Sequence, residues 1–392
     1  MSLEALVEIS RHYGKNPDYV LAGGGNTSWK DGKTLYVKGS GISLAEVDPG
    51  SFVQMDRDAL GLIFGKAYPD DSAAREKAVL QDMLAARKVG EEDKRPSVEA
   101  LLHDVLPFSF VVHLHPALVN GFTCSRQGEK AAAEIFGDDA IWIPSTNPGY
   151  VLSKEVKTAM DAYSARKHRA AAVVFLQNHG IFVGDNSSKG IRAQYGEVMD
   201  KIGAWIKRSP DFSGEEIIPI GKIISIEEII SAGEQVAAGV NQAGYMAREI
   251  GQTLALLAGV AVFMQSTEIN AVVKDSCSFM PVSSAFTPDH IVYAGSDPLF
   301  AEAENEAGLK TAWESHVGKT GRAPKIVAVK GLGVFGVAAT EKAAHIALDL
   351  FKDAVKVAVY SESFGGYSFM PQEQIDFINN WEVERYRASV SA

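Results

Sequence analysis

Cysteine is scarce: Cys124 and Cys277 are the two in 392 residues, and neither stands in a metal-binding or redox spacing. A disulfide framework and a thiolate metal site are therefore excluded, and both cysteines are expected to be small buried hydrophobes. Basic runs are lacking too. Net charge is −11 with no block of lysine and arginine, which argues against nucleic acid or an anionic membrane as partner. An anionic substrate must then be met by local cations and backbone N–H groups. The apolar stretch 254–264 is too short to span a bilayer. The N-terminus lacks the basic-then-apolar order of a signal peptide, and Leu3–Tyr13 reads as an amphipathic helix. Together these absences predict a cytoplasmic protein. A hydrophobic content of 46% supports buried cores, and 392 residues suggest two domains.

The most informative stretch runs from Arg95 to Pro116. Phe110–Leu114 is β-branched and aromatic and reads as a strand. Residues two apart on a strand share a face, so His113 and His115 point together, about 6–7 Å apart along it, while Leu114 points away. Two imidazoles so placed can reach one metal; they also suit a solvated strand face. Upstream, Glu99 is expected on a short helix opened by Pro96 and Ser97, with His103 four residues on and on the same face. A third imidazole, His179, ends the apolar run that starts at Val173 and is followed by Gly180. Three imidazoles with a carboxylate or water as fourth group form the donor set of a catalytic site for zinc or another divalent metal.

Near the start, Gly23-Gly24-Gly25 lets backbone approach a ligand, and Asn26, Thr27 and Ser28 follow with hydrogen-bonding groups. Asp31-Gly32 predicts a hairpin pairing Ser28–Trp29 with Thr34–Lys38. The second strand ends in Lys38-Gly39-Ser40-Gly41, whose N–H groups, hydroxyl and ammonium can hold a phosphate. The same residues suit an ordinary Gly/Ser hairpin loop. Beyond it, helices are expected at 73–88, 116–124, 127–136, 154–167 and 187–207, with strands at 141–143 and 172–176. This alternation gives a layered α/β domain.

Arg208–Lys222 is the linker candidate, and Ser225-Ile226-Glu227-Glu228 a capping box opening a helix. The run from Gly331 to Gly336 matches a dinucleotide fingerprint in its glycines only. Its helix begins late, at Thr340, and the next expected strand, Val355–Tyr360, does not end on an acid. Internal duplication accounts for it better. A shift of 153 residues lays Val173 on Ile326, Gly180 on Gly333, the helix cap Ser187 on Thr340, and His179 on Leu332. Unrelated strand order in the two halves would sink this idea.

Four blocks in order (Gly24-Gly25-Asn26-Thr27-Ser28, Val37-Lys38-Gly39-Ser40-Gly41, Pro96 to His115, and Asn178-His179-Gly180) resemble the class II aldolase/adducin family. Within it the chain is similar to the aldolase portion of bifunctional rhamnulose-1-phosphate aldolase/dehydrogenases, without the dehydrogenase domain. The likeness continues through Thr287-Pro288-Asp289-His290 and Gly331–Gly336. It implies a layered α/β/α aldolase-like domain over 1–209, then a second α/β domain over 223–392 without metal ligands, read as a degenerate copy.

For function the resemblance implies reversible cleavage of a ketose 1-phosphate to dihydroxyacetone phosphate and an aldehyde through a metal-stabilised enediolate. His113, His115 and His179 would hold Zn2+, or Mn2+, Co2+ or Fe2+, and Glu99 would be the base. Asn26, Ser40, Gly41 and Ser97 fall at the family's phosphate-binding positions, joined here by Lys38. Val98 stands where relatives often carry another serine. His103 is read as orienting a ligand, Tyr150 as a weak candidate proton donor, and His290 as a surface turn. A homotetramer acting on a small sugar phosphate is expected. The same ligands suit sugar-phosphate epimerases and dehydratases, whereas an adducin-like assembly module would lack them.

Overall fold

The structure, a computed structural model, describes residues 2–220, 242–302 and 305–382. Two compact units emerge. The described residues through Lys207 together with 360–382 form the first, and Arg208–Val359 forms the second.

In the first unit seven strands form one sheet: β1 (Asn26–Asp31), β2 (Thr34–Lys38), β3 (Phe52–Asp56), β4 (Phe110–Leu114), β5 (Ala140–Ile143), β6 (Val173–Leu176) and β7 (Gly180–Asp185). Their order is β3-β2-β1-β4-β7-β6-β5. Only β5 and β6 run parallel, joined by the helix Tyr150–Lys167; every other pair is antiparallel. The expected hairpin is present, with Ser28 opposite Val37 and Gly32 in the left-handed region at φ 56°.

Alternation along β4 sorts the core. Phe110, Val112 and Leu114 join the cluster under the helices Leu3–Gly14 and Ser188–Gly203. Val111, with Val174 and Phe182, joins the opposite cluster under Tyr150–Lys167 and Ala100–Val105. A sheet with helices burying both faces is the layered α/β/α arrangement.

The second unit carries β8 (Glu216–Ile220), β9 (Val260–Gln265), β10 (Leu299–Ala301), β11 (Ile326–Val329) and β12 (Gly333–Ala338), in the order β10-β11-β12-β9-β8. This reproduces β5-β6-β7-β4-β1, with the same single parallel pair at one edge. The register agrees too. Val173 faces Val183 and Leu176 faces Gly180 in the first unit; Ile326 faces Gly336 and Val329 faces Gly333 in the second. Both pairings repeat at the shift of 153 read from the sequence. Strand order is thus related, as a degenerate copy requires.

Several local expectations are corrected. The strand expected at 172–176 is present as β6, but beyond it the chain reverses through Asn178, at φ 58°, into the unexpected strand β7. Val355–Tyr360 is the end of the helix Glu341–Ser361, not a strand. Leu348, Phe351, Val355 and Val359 are buried at helical spacing, and that face outweighs the β-branched composition. The Arg208–Lys222 linker contains β8, because Ile220 enters the second core. Its last two residues, and the capping box at Ser225, lie outside the described residues. The stretch 360–382, expected in the second domain, groups with the first unit, where Phe364 is a core member. Cys124 is buried as expected, but Cys277, on the short helix Ser276–Phe279, is exposed. Gly331 and Gly333 turn the β11–β12 hairpin, and helix follows only from Glu341, so the glycines cradle no helix N-terminus. Among the described residues no helix is long and apolar enough to cross a membrane.

Candidate metal centre

Three elements meet at one end of β4. His113 lies on the strand, His115 just past its end, and His179 in the turn between β6 and β7. One donor atom from each lies within 4.8 Å of the others. His113 and His115 bring their Nε2 atoms to 2.9 Å, as expected of side chains two apart on an extended chain. His113 Nδ1 stands 3.0 Å from Ile181 O; donating there leaves Nε2 for the shared centre, the usual orientation of a metal-bound imidazole. Phe182 stacks on the His113 ring at 4.1 Å and fixes its plane.

Gly180 makes the meeting possible. A Cβ there would lie 2.5 Å from Leu114 O and 2.7 Å from His115 Cδ2. In the second unit Gly333 occupies the equivalent place, 2.7 Å from Met264 O. The registers of β9 and β12 put Phe263 and Gln265 where His113 and His115 stand, and the shift of 153 puts Leu332 at His179. The second unit repeats the scaffold without the imidazoles.

Glu99 enters the cluster from the side. The expected helix starts at Ala100, so Glu99 is its N-cap residue, with the side chain turned away from capping. Its backbone still anchors the helix, since His103 N–H donates to Glu99 O at 3.0 Å. The carboxylate is buried, with Oε2 3.4 Å from His113 Nε2 and Oε1 3.5 Å from His179 Nε2. Oε1 accepts no hydrogen bond. A buried carboxylate oxygen without a donor, facing three converging imidazoles, fits a cation: these are the ligand types a divalent metal takes. The protein thus contains a site able to bind such an ion.

The phosphate candidates sit beside this cluster. Gly39 bridges Pro96, Ser97 N–H donates to Lys38 O at 3.0 Å, and Ser40 N–H donates to Arg95 O at 2.9 Å. The Lys38–Gly41 loop is thereby tied to the segment leading into Glu99. Lys38 is buried and its ammonium donates to Ile42 O, closing its own loop. Gly41, at φ 79°, needs the left-handed freedom of glycine.

Asn26, among the phosphate candidates, lies beside Glu99. Its Nδ2 donates to Glu99 Oε2 at 2.7 Å, and its Oδ1 meets His103 Nε2. His103 Nδ1 lies 2.8 Å from Ser28 Oγ. Burial pushes the His103 pKa well down, with His113, Lys30 and Lys38 adding in the same direction. Tyr150 belongs to the core under β2 and β3. Its ring packs on Tyr68 at 4.9 Å and its N–H donates to the Glu76 carboxylate at 3.1 Å. His290, expected on a surface turn, is buried in the second unit with its Nε2 3.1 Å from Asp353 Oδ2.

Sequence reasoning missed Ser368. Its carbonyl accepts from Asn178 Nδ2 at 2.8 Å, and Asn178 N–H reaches Thr123 O. These contacts pin the residue before His179 in its left-handed conformation. Nothing in the local pattern around Ser368 signals that role.

Comparison with known proteins adds the following. Residues 4–194 match the family model described as the class II aldolase and adducin N-terminal domain, and residues 318–387 match aldolase class II, second domain. A curated relative, named an uncharacterized oxidoreductase YuxG of Bacillus subtilis (strain 168), is 22% identical over 426 residues; the match covers 99% of this chain and 58% of that protein. The chain therefore spans little more than half of that relative's length. Among solved structures, the N-terminal class II aldolase domain of a conserved protein from Thermoplasma acidophilum is 26% identical, covering 52% of this chain and 93% of that one, with TM-score 0.45. An L-fuculose-1-phosphate aldolase from Thermus Thermophilus is 12% identical, covering 51% and 92%, with TM-score 0.32.

Proposed function

Because the chain carries a class II aldolase domain followed by a second domain, we propose that it is a metal-dependent carbon–carbon lyase. It reversibly cleaves a ketose 1-phosphate to dihydroxyacetone phosphate and an aldehyde. The observation that carries this reading is the Glu99 carboxylate held between His113 and His179, with one oxygen free of hydrogen bonds.

In the condensation direction, a proton must leave the carbon next to the carbonyl of dihydroxyacetone phosphate. Glu99 takes it. That carbon then attacks the aldehyde, whose oxygen takes up a proton from solvent as it becomes a hydroxyl; in cleavage that hydroxyl loses its proton to solvent, the carbon–carbon bond breaks, and Glu99 returns its proton to the carbon. A divalent metal on His113, His115 and His179, Zn2+ or a related ion, would supply Lewis-acid stabilisation of the negative charge that develops on the substrate oxygens. Lys38, Ser40, Gly41 and Ser97 line the loop pair beside Glu99 and would receive the phosphate. The hydroxyls of Ser40 and Ser97 are the suited donors, since both backbone N–H groups are already committed.

The test follows dihydroxyacetone phosphate in D2O by proton NMR. Metal-replete protein should exchange one C3 hydrogen stereospecifically, and a chelator should stop it. His113→Ala should lose metal and exchange together. Glu99→Gln should keep metal and lose about 10²–10⁴-fold in exchange, the usual contribution of a general base. Absence of exchange in metal-replete protein would put an epimerase, a dehydratase or a non-catalytic assembly module ahead of this reading.

A further inference from the structure

A phosphate monoester carries about −1.5 to −2 charge near neutral pH. In the loop pair beside Glu99, the N–H groups of Ser40 and Ser97 are committed to Arg95 O and Lys38 O, and the Lys38 ammonium donates to Ile42 O. The same two backbone bonds define the geometry of the pair. They flank an antiparallel bridge between Gly39 and Pro96, so Lys38 stands opposite Ser97 and Ser40 opposite Arg95. Residues opposite each other share a face, as do residues two apart. Lys38, Ser40 and Ser97 therefore share their face with a second cation, Arg95, while Pro96 turns to the other side. The Arg95 guanidinium is gripped by Glu382. Its two NH2 groups donate to the two carboxylate oxygens at 3.3 and 3.1 Å, a two-point fork. The Arg95 side chain is 19% exposed and that of Glu382 is 62% exposed, so the cation is held and the carboxylate stands in solvent. Trp381, just before it, is buried and lines a small cavity with Val98, Leu101 and Tyr150. The indole thus anchors the returning chain against the segment that carries Ser97 and Glu99.

We propose that Arg95 is the cation that receives the substrate phosphate, and that Glu382 is a carboxylate stand-in which the phosphate displaces. A carboxylate and a phosphate accept from the same pair of parallel guanidinium N–H groups, so one can replace the other without moving the arginine. An ion pair with an exposed partner is weak, so a phosphate that also meets the hydroxyls of Ser40 and Ser97 outcompetes it. Arg95 then selects the phosphorylated substrate, and Glu382 sets how readily the site is occupied. This inference rests on the lyase reading for the identity of the substrate. No covalent step is involved: one ion pair is exchanged for another.

The experiment uses the full chain loaded with metal. It measures binding of inorganic phosphate by isothermal titration calorimetry, and hydrogen exchange of dihydroxyacetone phosphate in D2O. Arg95→Ala should weaken phosphate binding and raise KM by about 10–100-fold, the usual loss of a charge-assisted contact, with kcat within about twofold. Arg95→Lys keeps the charge without the fork and should fall between wild type and Arg95→Ala. Glu382→Gln should tighten phosphate binding and lower KM by about two- to fivefold, the worth of an exposed pair. The double variant should match Arg95→Ala. Unphosphorylated dihydroxyacetone separates recognition from damage: its kcat/KM for exchange should differ by no more than about twofold between wild type and Arg95→Ala. Equal losses on both substrates would make Arg95 a structural residue and overturn the proposal. Phosphate binding unchanged in Arg95→Ala, or not tightened in Glu382→Gln, would overturn it too. Should the wild type exchange neither substrate, the lyase reading fails, and the phosphate titrations still decide the anion site.

Discussion

At the scale of single residues, the metal centre depends on what is missing at Gly180. Its neighbours come so close that a methyl group would overlap Leu114 O and the His115 ring. Gly180→Ala must therefore either push β7 away from β4 or rotate His115 out of the cluster. We expect at least a tenfold loss of metal affinity, measured by titrating the apo-protein with Co2+ and following its absorption. Gly196 is the control. It lies inside the helix Ser188–Gly203 with open space where a Cβ would go. Gly196→Ala should leave metal affinity unchanged and stabilise the fold by about 0.5–1 kcal/mol. Equal behaviour of the two variants would show that the close approach does not constrain the site.

At the scale of elements, the turn bearing His179 is held by chain that arrives much later. Arg126 and Gln127 donate their N–H groups to Gly366 O and Phe364 O, and Ser368 N–H donates to Cys124 O. Phe364 packs on Phe122 at 5.4 Å inside the first core, and Ser368 accepts from Asn178. This returning segment thus buttresses the turn without contributing an imidazole. Phe364→Ala should cost about 3–5 kcal/mol in urea unfolding, as for a large aromatic removed from a core. It should also weaken metal binding, because the segment that carries Ser368 loses its anchor. Unchanged metal affinity in a folded Phe364→Ala protein would mean that the turn holds its shape alone.

At the scale of the whole molecule, the five strands of the second unit repeat the order and register of five in the first, yet among the described residues only the first unit has the ligand set. Phe263, Gln265 and Leu332 stand in the second unit where His113, His115 and His179 stand in the first. Phe263 packs on Phe335 at 5.0 Å, a ring contact in the place of His113 on Phe182. We expect one tightly bound divalent ion per chain by inductively coupled plasma analysis. His179→Ala should reduce it to none, and a second equivalent surviving that change would locate another site. The sequence by itself determined the residue types and the local geometry. The two-residue period of a strand put His113 and His115 on one face, and the hairpin at Asp31-Gly32 and the repeat at 153 residues followed from short-range pattern. Tertiary structure alone decided the rest. Glu99 reaches the imidazoles because a helix starts one residue after it, Asn26 turns to Glu99 because β1 pairs with β4, and residues 360–382 return to the first unit. Such pairings are made between segments distant in sequence, and their energy comes from burial and hydrogen bonds that no local window of residues contains.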